Sequence, residues 1–490
     1  MKTICFLLMI TVSAFAQQNP QVKTANGTLE GITESSGIRS FKGVPFAQPP
    51  TGNLRWKEPQ PPTNWQGVRK ADHFAAQAMQ RAIYSDMKFR STGNSEDCLY
   101  LNVWTPAKKG SEKLPVMVYF YGGGFQAGDG SEYRYDGEAL AQKGIVTITV
   151  NYRLGIFGFM AHPELTKESP HHASGNYGLM DQHAALLWVH KNIAAFGGDP
   201  DKVTIAGESA GSMSVSGQVA SPLSKGLFIR AIAESGSLLG MATPPALSVA
   251  EQDGIKFAGA STLADLRAIP ADKLLELSAN SRFRPDIDGY FIPETPQAIF
   301  AANKQMPVAL LAGWNSAESS YDAILGKEAP TQANYTAAVQ KLYGDHAADI
   351  LKVYADTDVK KVATELASDR FIAFNTWKFV DMHSRSGNSV YRYYFTRKRP
   401  LFDHKEQPGA SHSSEIEYAL GNLATNKSYD WSADDKKISE TLQNYFANFI
   451  KTGNPNAKGL TKWDKYSPSK PYLITIDVNC TPKLSDTEPR

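Results

Sequence analysis

The chain has 490 residues, 42% of them hydrophobic and 20% charged, an ordinary globular composition with enough length for a large core. Its 51 basic residues stand against 49 acidic ones, a formal charge of +2, so the electrostatic footprint of a nucleic-acid binder is missing. No internal repeat, low-complexity tract or Pro/Gly/Ser-rich linker divides the sequence, which predicts one large domain over 17–490 with long insertions.

In chain order, the first feature is an export signal. Lys2 supplies the positive end, Ile4 to Val12 a short apolar stretch, and Ala14, Phe15 and Ala16 a small-x-small cleavage site. Removal of residues 1–16 and a periplasmic or secreted location are expected. That stretch is too short to span a bilayer, and no later segment offers the roughly 18 apolar residues a membrane helix needs. Cys5 leaves with the signal. Cys98 and Cys480 remain, too few for a disulfide framework or a metal site, and the sequence does not say whether they pair.

Runs rich in β-branched and aromatic residues alternate with helix-period segments, the pattern of an α/β fold with a mostly parallel sheet and helices on both faces. Val116 to Tyr121, Ile145 to Asn151, Val203 to Ala206, Ile229 to Ala233, Val308 to Ala312 and Val390 to Phe395 read as strands. Leu179, Leu186 and Ile193, with Leu187 and Ala194 beside them, form a helical stripe that Gly197 and Gly198 end. Ile438, Leu442, Tyr445, Phe449 and Ile450 form another. The less regular stretches 238–301 and 319–385 read as helical insertions over the sheet's carboxyl edge, where open α/β folds bind ligands. Arg397, Lys398 and Arg399 read as a solvated loop.

Gly207, Glu208, Ser209, Ala210 and Gly211 match GxSxG. Three fixed positions drawn from common residues recur by chance, so context decides. Here a buried-strand run ends at Gly207 and a small-residue helix follows from Ser212, the strand, sharp turn and helix that expose a nucleophilic serine at the top of a sheet. A helix-capping serine is the plainer reading. Gly122, Gly123 and Gly124 follow another strand. A tetrahedral oxyanion needs fixed donors, and the amides of Gly123, Gly124 and Ala210 are the candidates; a plain β-turn or a phosphate-cradling loop also uses such glycines.

Further motifs make the reading specific. Glu96 to Val103 (EDCLYLNV) and the stretch around Ser209 resemble the two signatures of the type-B carboxylesterase and cholinesterase family. Phe41 to Ala47, continuing through Arg55, resembles its N-terminal pattern, and Thr452 to Asn456 its C-terminal helix exit. The likeness spans nearly the whole mature chain and implies an α/β-hydrolase fold and a secreted bacterial carboxylesterase acting on small to medium carboxylic esters through an acyl-enzyme. An aryl or feruloyl esterase, a lipase, and a catalytically silent adhesion member are the alternatives.

Ten histidines compete for the general base. His183 and His190 fall in a predicted helix, and His171 and His172 in a polar loop. Gly409 to His412, followed by Glu415 to Tyr418, resembles the family's histidine loop, so His412 is the expected base; its ordinary pKa predicts a kcat/KM that rises with pH near 6 to 7. Gly313 to Ser319 resembles the GxNxxE segment that carries the family's acid, which implies Glu318. The order Ser209, Glu318, His412 is that of an α/β-hydrolase triad. Asp322, Glu415 and Glu417 read as surface acids. Ser235 matches a family serine beside the triad, with a simple turn serine as the alternative, and Glu208 either tunes the field at the site or only shapes the turn.

The sequence also departs from the family. Ala78 stands where the resemblance places the disulfide partner of Cys98, which implies no bridge, and 78–98 contains no tryptophan to hold a quaternary ammonium, which argues against choline esters. No metal, nucleotide or other cofactor is implied. The expected partner is a small-molecule ester; oligomeric state is not legible.

Overall fold

The computed structural model describes residues 19–400 and 409–485; the expected export signal at 1–16 lies outside the described residues. Eleven strands form the main sheet: β1 (Ile32–Thr33), β2 (Arg39–Pro45), β3 (Tyr100–Thr105), β4 (Leu114–Phe120), β5 (Val146–Val150), β6 (Gly198–Glu208), β7 (Arg230–Glu234), β8 (Ala309–Asn315), β9 (Val390–Phe395), β10 (Tyr472–Ile476) and β11 (Thr481–Leu484). Their spatial order is β11-β10-β9-β8-β7-β6-β4-β5-β3-β2-β1. From β5 to β10 every neighbouring pair is parallel, and both flanks are antiparallel.

Parallel strands are covered on both faces, so they read as continuous apolar runs rather than alternating ones. β5, Val-Thr-Ile-Thr-Val, is buried at every position. The covering helices include α1 (Tyr177–Asn192), α2 (Ala210–Ala220), α3 (Val359–Ser368), α4 (Phe374–Arg385) and α5 (Ala433–Thr452). α2 packs on β6 and β7, α4 on β8 and β9, and α5 on β4 and β6. The stripe of α1 turns Leu179, Leu186 and Ile193 into the core, while Leu187 faces out. α5 starts on a capping box between Ser432 and Asp435 and ends at Gly453 in the left-handed conformation, the asymmetry expected of helix ends.

Two of the sequence signatures meet in space. Arg55, from the N-terminal pattern, and Glu96, opening the second signature, form a bidentate ion pair at 2.7 and 2.6 Å, and Arg55 also donates to the carbonyls of Leu266, Arg267 and Ile269. This joins the insertion at 238–301 to the body. The insertion at 319–385 has a satellite core of its own, with Tyr335, Val339, Val362 and Leu366 at its centre. Cys98 and Cys480 are free thiols, and burial pushes the Cys98 thiol well up. No helix among the described residues is long and apolar enough to cross a membrane.

Charge along the sequence is a poor guide at three places. Arg399 is buried with its guanidinium 2.6 Å from the Glu417 carboxylate, and Glu417 and Glu415 are fully buried. The solvated readings of Arg399, Glu415 and Glu417 are therefore corrected. Each group finds its partner far away along the chain, which local composition does not report.

Candidate active site

Parallel strands all point their carboxyl ends the same way, so the loops leaving them converge at one edge. β4 runs into Gly122–Gly124, β6 into Ser209, β7 into Ser235 and β8 into the segment holding Glu318. The segment holding His412 follows β9.

The serine turn is sharp. Ser209 has φ 55° and ψ −118° between the last residue of β6 and the first of α2, a conformation that costs a non-glycine residue on the order of 1–3 kcal/mol. Two backbone bonds hold it: its amide donates to the Glu234 carbonyl at 2.9 Å, and its carbonyl accepts from the Met213 amide at 2.8 Å. The flanking glycines are needed for close approach. A Cβ on Gly207 would lie 2.5 Å from the Gly211 carbonyl carbon, and one on Gly211 would lie 1.9 Å from the Phe120 carbonyl oxygen. The GxSxG spacing thus reflects the packing of α2 onto β4 and β6.

The glycine loop lies directly alongside. A Cβ on Gly122 would sit 3.1 Å from Ser209 Cβ. Gly123 and Gly124 have φ of 110° and 64°, and the Gly123 carbonyl is turned back to accept from the Gln126 and Ala127 amides at 3.0 and 3.1 Å. Among the described residues the amides of Gly123, Gly124 and Ala210 have no hydrogen-bond partner. Ala210 is at the first position of α2, where helix amides are unsatisfied and the dipole favours negative charge.

His412 Nε2 lies 2.9 Å from Ser209 Oγ, and His412 Nδ1 lies 2.6 Å from Glu318 Oε2. The two loops behind this chain are stitched together: the Ala317 amide donates to the Ala410 carbonyl at 2.8 Å, and the Ala410 amide to Ser316 Oγ at 3.1 Å. Glu318 Oε1 accepts from the Asn315 amide and from Ser235 Oγ, both at 2.6 Å. Ser235 therefore bonds directly to the Glu318 carboxylate.

Behind these groups lies a cluster of buried carboxyls. Glu415 is 3.1 Å from Ser235 Oγ and accepts from Asn315 Nδ2 at 2.5 Å. Burial and the neighbouring Glu318 raise its pKa. Ser235 Oγ, with one proton to give, thus faces both Glu318 and Glu415. Glu208, in β6, sits 3.2 Å from His412 Nε2 without hydrogen-bond geometry, and burial pushes its pKa up to about 8. Its register partner in β7 is Glu234, fully buried and likewise raised by burial. His412 loses some basicity to desolvation, but the carboxyls of Glu208 and Glu318 outweigh this and raise its pKa to about 9.

Glu234 and the structural role of Glu415 were missed by the sequence reading. The available signal for Glu234 was strand register: Glu208, the residue before Ser209, and Glu234, the residue before Ser235, stand side by side once β6 and β7 are paired. His183 and His190 lie on α1, and His183 is held low, at about 4, by burial. No group of three or more metal-ligating side chains occurs among the described residues.

A serine turn in mid-sheet, with an acid and a histidine arriving from later strands, is the layout of the α/β-hydrolases. A family model described as the carboxylesterase family matches residues 18–489, and the chain belongs to that family; it is a carboxylic ester hydrolase. Similar curated proteins include the fumonisin B1 esterase of Sphingopyxis macrogoltabida, 34% identical over 495 residues, covering 94% of this chain and 88% of the relative. Liver carboxylesterase 1 of Oryctolagus cuniculus is 34% identical over 541 residues, covering 96% and 92%. A medium-chain fatty acyl-CoA hydrolase precursor of Anas platyrhynchos is 33% identical over 519 residues, covering 96% and 91%.

Proposed function

We propose that Ser209 is the nucleophile, His412 the general base, Glu318 the acid that orients it, and the Gly123, Gly124 and Ala210 amides the oxyanion donors, in hydrolysis of small to medium carboxylic esters through an acyl-enzyme. The observation that carries this reading is the unbroken hydrogen-bond chain from Glu318 through His412 to Ser209. His412 Nε2 takes the serine proton as Oγ attacks the acyl carbon, and the oxyanion is met by these three amides, unpaired among the described residues. Glu208 and Ser235 act from behind, on the charge and on the placement of these groups. The chain is read as one domain over 17–490, exported to the periplasm or the medium after loss of residues 1–16. One measurement tests both statements: the exported protein treated with a fluorophosphonate is expected to have an intact mass lacking residues 1–16 and one adduct, mapped to Ser209. A full-length mass refutes the export reading, and an unlabelled Ser209 the catalytic one.

The surroundings of His412 also correct the pH expectation. The base works only when neutral, and carboxyls within 2.6 and 3.2 Å stabilise its cation, so the neutral form appears at higher pH than for a free imidazole. The acid limb of kcat/KM is expected above 6.5, toward about 9, higher than an ordinary histidine implies. Glu208→Gln removes one of the two carboxyls and should move the limb downward. A limb at or below 6.5 in the unmodified chain, or an upward move in the variant, contradicts this electrostatic account.

A further inference from the structure

The insertion at 319–385 ends in a long helix, α3 to α4, interrupted by a π-helical turn at Asp369–Ala373. Such turns inside α-helices concentrate at functional sites. Here the turn presents Phe371 outward: its ring is 48% exposed, while Ile372 and Ala373 beside it are buried. The ring stands edge-on to the His412 imidazole, centroids 5.1 Å apart at 78°. The turn is pinned on two sides. The amide of Ser319, next to Glu318, donates to Ser368 Oγ at 3.2 Å, and Tyr354 Oη donates to Asp369 Oδ2 at 2.6 Å. Further out, the Gly240 backbone packs on Phe374 closely enough that a Cβ there would lie 3.1 Å from the ring, and Met241 beside it is exposed.

We infer that Phe371 is a specificity-determining residue for the leaving alcohol, favouring esters of aryl and other flat apolar alcohols; this rests on the nucleophile and base proposed above. In acylation, Ser209 Oγ bonds to the acyl carbon and the bond from that carbon to the alcohol oxygen breaks. Its electron pair stays on the oxygen, and His412 Nε2 delivers to that oxygen the proton taken from Ser209. The departing oxygen must therefore come within hydrogen-bond reach of Nε2. A ring packed on the imidazole neighbours the alcohol, whereas the carbonyl oxygen is turned to the glycine loop. An aryl alcohol meets the phenyl group in an edge-to-face or offset stack. In deacylation, water replaces the alcohol and Phe371 has nothing left to select.

The test uses the full chain, phenyl and ethyl esters of one acid, and the variants Phe371→Ala and Phe371→Trp; ratios relative to the unmodified chain cancel the intrinsic reactivity of the two esters. The phenyl-to-ethyl ratio of kcat/KM is expected to fall about tenfold in Phe371→Ala and to be kept in Phe371→Trp. The deacylation rate constant, from the burst with the p-nitrophenyl ester, should stay within about twofold. An unchanged ratio beside an intact acyl-enzyme overturns the role of Phe371 alone. A parallel fall of acylation and deacylation also overturns it, because that marks a residue that only holds His412. Absence of an acyl-enzyme on Ser209 in the unmodified chain removes the nucleophile assignment, and this inference with it.

Discussion

Ser209→Ala is expected to lower kcat by up to about 10⁶-fold, as loss of the nucleophile does in other serine triads, and to leave the fold intact. The second half of that expectation follows from what holds the turn. The left-handed conformation of residue 209 is fixed by its own amide and carbonyl, bonded to Glu234 and Met213, and alanine keeps both. Among the described residues, the only side-chain bond lost is the one to His412. At about 1.4 kcal/mol per tenfold, the activity loss corresponds to about 8 kcal/mol of transition-state stabilisation, far more than any plausible change in stability from removing one hydroxyl. Neighbouring hydroxyls are poor substitutes because they are engaged elsewhere: Ser212 Oγ donates to the Gly236 carbonyl at 2.6 Å, and Ser235 Oγ to Glu318. Turnover of a p-nitrophenyl ester and a thermal melt check both halves. Activity within tenfold of the unmodified chain would move the nucleophile elsewhere.

The sheet was legible over most of its parallel part, although β10, parallel to β9, was not assigned. β4, β5, β7, β8 and β9 are largely apolar or aromatic runs buried on both faces, and the expected and observed strands agree to within a few residues. β6 is longer than its apolar run, because Gly198-Asp-Pro-Asp-Lys reads as a turn; it joins β4 only through a register shift between Gly198 and Val203. The antiparallel flanks were not assigned as strands. β11 is exposed throughout, and β2 and β3 mix polar and apolar residues; their tertiary partners, not their own pattern, make them strands. At the site, the residues carried by motif reached the right neighbourhood, since a motif encodes strand, turn and loop together. What escaped was the buried charge behind them. Glu415 lies three residues after His412 in a polar-looking stretch, and only the arrival of Asn315 and Ser235 from two other strands makes its burial tolerable.

The same geometry makes Glu318→Gln more than a loss of charge. Glu318 Oε1 receives two donors, the Asn315 amide and Ser235 Oγ, and Oε2 faces His412 Nδ1. A glutamine in this site must keep its oxygen where the two donors point, which puts its NH₂ against Nδ1. Nδ1 must then accept rather than donate, so the imidazole proton moves to Nε2. Nε2–H faces Ser209 and has no lone pair left to take the serine proton: the base is present but in the wrong tautomer. The expected loss is about 10⁴-fold in kcat, by analogy with the amide variant of a triad aspartate, or about 5 kcal/mol. Glu415→Gln is the control, because Glu415 reaches the imidazole only through Ser235 and Glu318, and its amide still accepts from Asn315 Nδ2. Its loss should be smaller by orders of magnitude. Measured on the alkaline plateau of each profile, a loss under tenfold in Glu318→Gln, or a larger one in Glu415→Gln, would transfer the orienting role away from Glu318.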